Sequence, residues 1–209
     1  MTGKTTTQIV ATEGWGILIA LAIAVVVALA AGWYRLAFLF VLTGAAAAYF
    51  FRNPERIPQE QDAFTIIAPA DGKIEEIALR EEGVSVRILN APLDTHLLRM
   101  PLQGRIEQVR RKGGLAAVFG SPLDRLSQRD HLLIRPASGM EAVELILSPE
   151  VATPVLYGAG DRFYLGQRLG FFHGGRITLL LPAEVELRLA VGDRVNAGES
   201  VIGFARMNG

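Results

Sequence analysis

The chain has 209 residues, a formal net charge of zero, no cysteine and three histidines, His96, His131 and His173. Zero net charge gives no global pull toward nucleic acid. The lack of cysteine excludes disulfides and thiolate metal sites, and three histidines leave little for a structural zinc, so no metal site is expected.

Residues 1–14 read as an N-terminal tail. From Trp15 to Phe51 the chain carries one charge, Arg35, in 37 residues. The first run, "WGILIALAIAVVVALAA", has 17 residues and the second, "LAFLFVLTGAAAAYFF", has 16. A membrane span needs roughly 20 apolar residues, with a lower limit near 17. Each run is therefore marginal, and the two together are too long for one comfortable helix. The reading is a membrane helical hairpin over 15–51 that turns near Gly32–Arg35, with one long tilted span as the alternative. Trp15, Trp33, Tyr34 and the "YFF" at 49–51 fall where interfacial aromatic anchors belong. A cleavable signal peptide fits less well, because the basic leader is weak and no small-residue cleavage site closes the segment. Lys4, Arg52 and Arg56 flank the hairpin. Positive residues favour the cytoplasmic side, which puts the main domain there, at the inner membrane.

From 52 to 209 Gly and Pro punctuate short alternating runs, and the fold class is mostly β. "GVSVRIL" (83–89), "HLLIRP" (131–136), "AVELILSP" (142–149), "RITLLLP" (176–182) and "EVELRLAVG" (184–192) read as strands. "DAFTIIAPADGKIEEIAL" reads as strand, turn, strand. "APADGKIEEI" (68–77) and "MPLQGRIEQV" (100–109) repeat each other at an offset of 32 residues, with glycine at each turn. Such pairing suits a quasi-symmetric β-barrel. The tail "LAVGDRVNAGESVIGFA" has the hammerhead strand–turn–strand shape of lipoyl- and biotinyl-type barrel-sandwich folds, a signal for fold and not for function. Lys112 in "RRKGG" lacks the neighbours of a carrier lysine. With Arg110 and Arg111 it reads as a solvated basic turn or a contact with anionic lipid.

Several stretches stand in one order: "YFFRNPERIP" after the hairpin, "APADGKI", "LNAPLDTHLLRMPLQGRI", "GQRLGFFHGGRITLLLP" and "GDRVNAGESVIG". Together they resemble the short-chain phosphatidylserine decarboxylase proenzymes over nearly the whole chain. The resemblance implies a barrel-sandwich-like β domain behind a transmembrane hairpin, acting in phospholipid biosynthesis on phosphatidylserine to give phosphatidylethanolamine and CO₂. It also implies a zymogen that cuts itself. A Ser hydroxyl attacks the preceding carbonyl, β-elimination splits the chain, and the Ser becomes a pyruvoyl group that serves as electron sink. No external cofactor is implied. The implied partners are a phosphatidylserine-like lipid and the bilayer, with a homodimer left open.

The cleavage motif of short members reads Phe-Gly-Ser-Arg. Here the letters are His173, Gly174, Gly175 and Arg176, in a loop one residue shorter. Gly175 stands where the resemblance expects the Ser, and glycine cannot become a pyruvoyl group. Thr178 is the nearest hydroxyl but lies inside a strand pattern, and Ser200 lies in the hammerhead turn. Asp71 matches the acid that orients the base of self-cleavage; by itself it is a turn aspartate before glycine. His96 matches the proton-transfer histidine, and its unperturbed pKa near 6.5 suits that work; otherwise it is a half-buried strand residue. Asp94 would share its strand face and orient it, or cap a turn. Arg99 could hold a lipid phosphate or carboxylate in a fork. Gly174 and Gly175, beside Arg176, leave backbone N–H groups open to an anion, or form a plain turn. His173 replaces an apolar residue of the motif, and His131 reads as a strand-surface residue. Three functions stay open: the decarboxylase, an uncleaved and catalytically inactive homologue that binds phospholipid or a partner, and a carrier or adaptor barrel.

Overall fold

The computed structural model describes residues 9–60, 62–113, 128–149 and 158–205. Residues 1–8 of the expected tail lie outside them. The chain forms two compact units, one up to Glu55 and one from Arg56 onward.

The first unit is a helical hairpin. Helix α1 spans Trp15–Ala30 and α2 spans Tyr34–Phe50, so the turn falls at 31–33, with Gly32 at φ +74°. Few side chains in either helix are buried: Ile19, Val26, Phe38 and Leu39 are all more than half exposed. The continuous stretch Thr12–Ala30, 19 residues, is long and apolar enough to cross a membrane, with mean hydropathy 2.3 over an 18-residue window; α2, at 17, is shorter. The open end of the hairpin is tied. Ala11 N–H donates to Phe51 O at 2.7 Å, and Asn53 N–H donates to Ile9 O at 2.7 Å. Gly14 makes this closure sterically feasible, because a Cβ there would lie 2.6 Å from the Phe51 side chain.

The second unit is β, and it is built twice. Its strands are β1 (Thr65–Ile67), β2 (Gly72–Arg80), β3 (Gly83–Asn90), β4 (Leu97–Arg99), β5 (Gly104–Lys112), β6 (Arg129–Pro136), β7 (Val143–Pro149), β8 (Arg162–Phe163), β9 (Arg168–Phe171), β10 (Gly175–Pro182), β11 (Val185–Leu187), β12 (Arg194–Val195) and β13 (Val201–Ala205). The large sheet runs β12-β2-β3-β10-β7-β6-β5-β8, so its two halves mirror each other about the β10–β7 pair. The repeat seen in the sequence is the start of β2 and β5. Each breaks register at the same point, between Ile74 and Glu76 and between Ile106 and Gln108. The small sheets match as well, β1 on β13 and β4 on β9. The copies are stitched together reciprocally: Ile67 N–H donates to Pro101 O at 2.8 Å, and Arg99 N–H donates to Pro69 O at 2.7 Å.

Alternation along the strands sends Ile74, Val86, Ile88, Ile106, Leu132, Ile134, Leu145, Ile177 and Leu179 into one core, each fully buried. Burial of a side chain of this size contributes roughly 1.5–3 kcal/mol, and the period of two fixes which face each residue takes. Two expectations need correction. Barrel closure is not found: among the described residues the large sheet is open, ending in the two-residue strands β12 and β8. The run 184–192 is a strand only at Val185–Leu187, because its end is taken up by the turn that Asp193 closes on Ala190.

Candidate functional site

The turn between β1 and β2 carries Asp71, and the sheet packs three other segments around it. Both carboxylate oxygens are engaged. The Arg56 guanidinium donates to Oδ1 and, at 2.8 Å, to Oδ2. Ala197 N–H donates to Oδ1 at 2.7 Å and Thr95 N–H to Oδ2 at 3.3 Å. Burial alone would raise the Asp71 carboxyl, but the bonds from Arg56 and Ala197, with the Arg56 charge, outweigh it and hold the group below the ordinary carboxylate range. Arg56 follows the hairpin in sequence, and its flanking charge is spent here, on a buried acid.

Thr95 leads into His96, which is 1% exposed. The His96 ring stacks on Phe171, centroids 5.7 Å apart and planes 22° off parallel. Its carbonyl accepts from Phe172 N–H at 2.6 Å. The His173 and Phe171 rings meet edge-to-face, centroids 5.1 Å apart and planes at 70°. The column His96–Phe171–His173 thus carries the Asp71 turn to the loop before Gly174 and Gly175, whose φ values are +77° and +127°. Gly175 opens β10, opposite Asn90 on β3 and Pro149 on β7.

Arg99 closes the group. It lies opposite Arg168 across the β4–β9 pair and donates to Gly166 O at 3.1 Å. Burial, then the charges of Arg56 and Arg168, lowers its pKa, and Asp71 opposes them. Like charges facing each other across two strands are destabilising. Arg56, Arg99 and Arg168 in one field, with Asp71 buried beside them and Glu199 4.0 Å from Arg56 Nε, suit a site for phosphate or carboxylate, which guanidinium forks bind well.

The other expected residues are placed differently. Arg176 lies on the face of β10 away from the core and forks onto Glu75, Nε to Oε2 at 2.9 Å and Nη2 to Oε1 at 3.0 Å. Asp94 accepts from Ala91 N–H at 2.9 Å and from Arg194 at 3.4 Å, so its described role is to close the 91–94 turn. Thr178 sits in mid-ladder, paired with Arg87 and Ile146. Lys112 ends β5 opposite Arg129. His131 is on the strand surface, Nδ1 2.6 Å from Glu144 Oε1. No cluster of three metal-ligating side chains occurs among the described residues. In the sequence Arg56 reads only as a charge flanking the hairpin, and Arg168 and Asn90 are missed; buried polar residues at the ends of apolar strands are the signal that points to the last of them.

A family model described as phosphatidylserine decarboxylase matches residues 44–203. The chain belongs to the phosphatidylserine decarboxylase family. A phosphatidylserine decarboxylase proenzyme of Syntrophotalea carbinolica is 31% identical over 215 residues, covering 95% of this chain and 98% of the relative. One from Geotalea uraniireducens is 32% identical, covering 93% and 96%, and one from Salinibacter ruber is 33% identical, covering 76% and 75%. No solved structure matches the chain. The family read from the ordered motifs is the family found, and its members are named as proenzymes.

Proposed function

We propose that this chain serves phospholipid biosynthesis at a membrane and holds a phosphatidylserine-type lipid at the Asp71 end of its sheet. The observation that carries the reading is that Arg56 and Arg99 share the field of the buried Asp71 carboxylate while Arg168 faces Arg99, in a chain whose relatives are named for phosphatidylserine decarboxylation. Such a headgroup brings a phosphodiester and a carboxylate, and each is an anion that guanidinium recognises. The apolar hairpin supplies the membrane anchor, and Lys4 and Arg52 favour the cytoplasmic side for its ends.

The family's pyruvoyl group does not fit the residues of this chain. Gly175 has no side-chain atom from which a ketone could form, and Thr178, the nearest hydroxyl, sits on the opposite face of β10 in a closed ladder. The favoured reading is therefore lipid binding by an uncleaved chain. Conversion of phosphatidylserine to phosphatidylethanolamine and CO₂ needs an electron sink that Gly175 does not provide. Intact mass under denaturing conditions tests this. A single species at 22.6 kDa is expected. Two chains parted between 174 and 178, with a blocked N-terminus on the smaller, would restore the decarboxylase reading.

A further inference from the structure

Asn90 ends β3, Gly175 begins β10, and the two are partners in the last pair of their ladder. Residues opposite each other on an antiparallel pair point to the same face, with Cβ atoms about 4.5–5.5 Å apart. That face is the inner one: Asn90 follows Val86 and Ile88 in alternation and is 1% exposed. The Asn90 side chain therefore lies beside the place that a side chain at 175 would take, and glycine has none.

The orientation of the amide is fixed by its partners. Nδ2 donates to Asp71 O at 2.8 Å and to Thr95 O at 3.0 Å. A flipped amide would set its oxygen against two carbonyl oxygens, so the assignment of nitrogen and oxygen is determined by the network. Asn90 thereby joins three parts of the site: the Asp71 turn, the segment leading to His96, and the start of β10. Its Oδ1 is buried and accepts no hydrogen bond among the described residues. A buried acceptor without a donor is costly and calls for an explanation.

We propose that Asn90 Oδ1 accepts a hydrogen bond from the primary amine of an aminophospholipid headgroup that enters at the end of the β3–β10 ladder, where the residue opposite Asn90 is Gly175 and carries no side chain. The assignment rests on the lipid-binding reading above. On a phosphatidylserine headgroup the phosphate and carboxylate are acceptors, and the amine alone donates. The arginines take the anions, and the neutral carboxamide oxygen of Asn90, its orientation fixed by Nδ2, takes the amine. A carboxamide does this without competing with the anions for the guanidinium groups.

The test uses the full chain in detergent micelles and two soluble lipids. One is dihexanoyl phosphatidylserine; the other is its deamino analogue, with 3-hydroxypropanoate in place of serine. A single hydrogen bond predicts that the amine lipid binds about threefold to tenfold tighter. Asn90→Ala should bind both at the affinity of the deamino analogue. Because that variant also loses two carbonyl contacts, a second measurement uses the unaltered protein. With ¹³C-labelled asparagine, the Asn90 side-chain carbonyl, assigned by replacing Asn53, Asn196 and Asn208 in turn, should shift with phosphatidylserine and not with the analogue. Equal affinity for the two lipids, or an unmoved Asn90 carbonyl in a phosphatidylserine-saturated sample, overturns the assignment and leaves lipid binding standing. Binding of neither lipid overturns both.

Discussion

Asp161 and Asp193, 32 residues apart, perform the same task in the two halves of the β unit. Each takes a backbone N–H three residues back onto Oδ2 at 2.8 Å, from Gly158 and Ala190. Each offers its carbonyl at 2.9 Å to the isoleucine of a bulged strand, Ile106 and Ile74. The site is where this equivalence fails. Asp71 is buried while Gln103, its counterpart, is exposed. Arg99 is partly buried where Ile67, its counterpart, is fully buried. Charges taken into an interior weaken a fold unless paired, and here each half brings one to the site, Asp71 from the first and Arg99 from the second.

Removing Arg56 should expose that weakness. Arg56→Ala leaves the Asp71 carboxylate buried without its counter-charge, and breaking a buried pair costs about 3–5 kcal/mol. Urea denaturation at neutral pH should show this loss. A cost near that of an exposed pair would mean that the ion pair does not hold the turn.

Asp71 should also govern the acid limb of stability. Its folded pKa lies below the ordinary 3.8, so its contribution is complete above that value and disappears as pH falls through the lower folded one. Asp71→Asn should flatten the decline of melting temperature on the acid side. An unchanged acid limb would move the effect to other carboxylates.

Asp130 carries the opposite sign. Burial raises its pKa, and Gln128, Arg111 and His131 offset that only in part. Its contribution is complete below 3.8 and lost as pH rises through the raised folded value. Asp130→Asn should therefore raise the melting midpoint at pH 7 and leave that at pH 3 nearly unchanged. A lower midpoint at pH 7 would show that the charged form is stabilised.

Gly166 and Gly198 form a matched pair at φ +72° and +76°. A Cβ at 198 would lie 2.5 Å from Arg99 Cδ, while one at 166 would lie 3.5 Å from Ile67 Cδ1. Gly166→Ala should cost about 1–3 kcal/mol of backbone strain. Gly198→Ala should cost that and also displace Arg99 outright, weakening phosphatidylserine binding more than Gly166→Ala, which strains only the carbonyl that Arg99 donates to. Equal affinities in the two variants would remove Arg99 from the lipid site.

Glu75 occupies Arg176 in a half-exposed pair, the side chains 30% and 28% accessible, and such pairs contribute about 0–1 kcal/mol. Glu75→Gln should change stability by no more than that and leave lipid affinity unaltered. A tighter lipid complex in this variant would show that a freed Arg176 reads the anion.

The hairpin was legible because "WGILIALAIAVVVALAA" and "LAFLFVLTGAAAAYFF" leave no polar face, and the long strands because alternation and glycine turns mark them. The second hammerhead, "GDRFYLGQRL" against "GDRVNAGESV", is present in the letters at the same offset of 32. It is hard to read because only Gly160, Asp161, Arg162 and Gly166 keep the letters of the other copy, and Phe-Tyr-Leu and Gln-Arg replace Val-Asn-Ala and Glu-Ser. Asp71 and His96 were named from motifs. Their neighbours were not, because Arg56 reaches Asp71 across 15 positions and Asn90 meets Gly175 only through strand register. Pairing of that range is set by the folded sheet and leaves no local pattern.

Gly175 opens a strand in the middle of the large sheet, and the segment after it is woven through the segment before. Beyond position 175, β10 lies between β3 and β7, β12 completes the edge on β2, and β13 sits between β1 and β11. A backbone scission at 174/175 would leave two polypeptides spliced like strands of a rope, joined by the ladders of β10, β12 and β13 on β3, β7, β2 and β1. They would migrate, scatter light and melt as one body. A nicked chain and an intact one would part company only once unfolded.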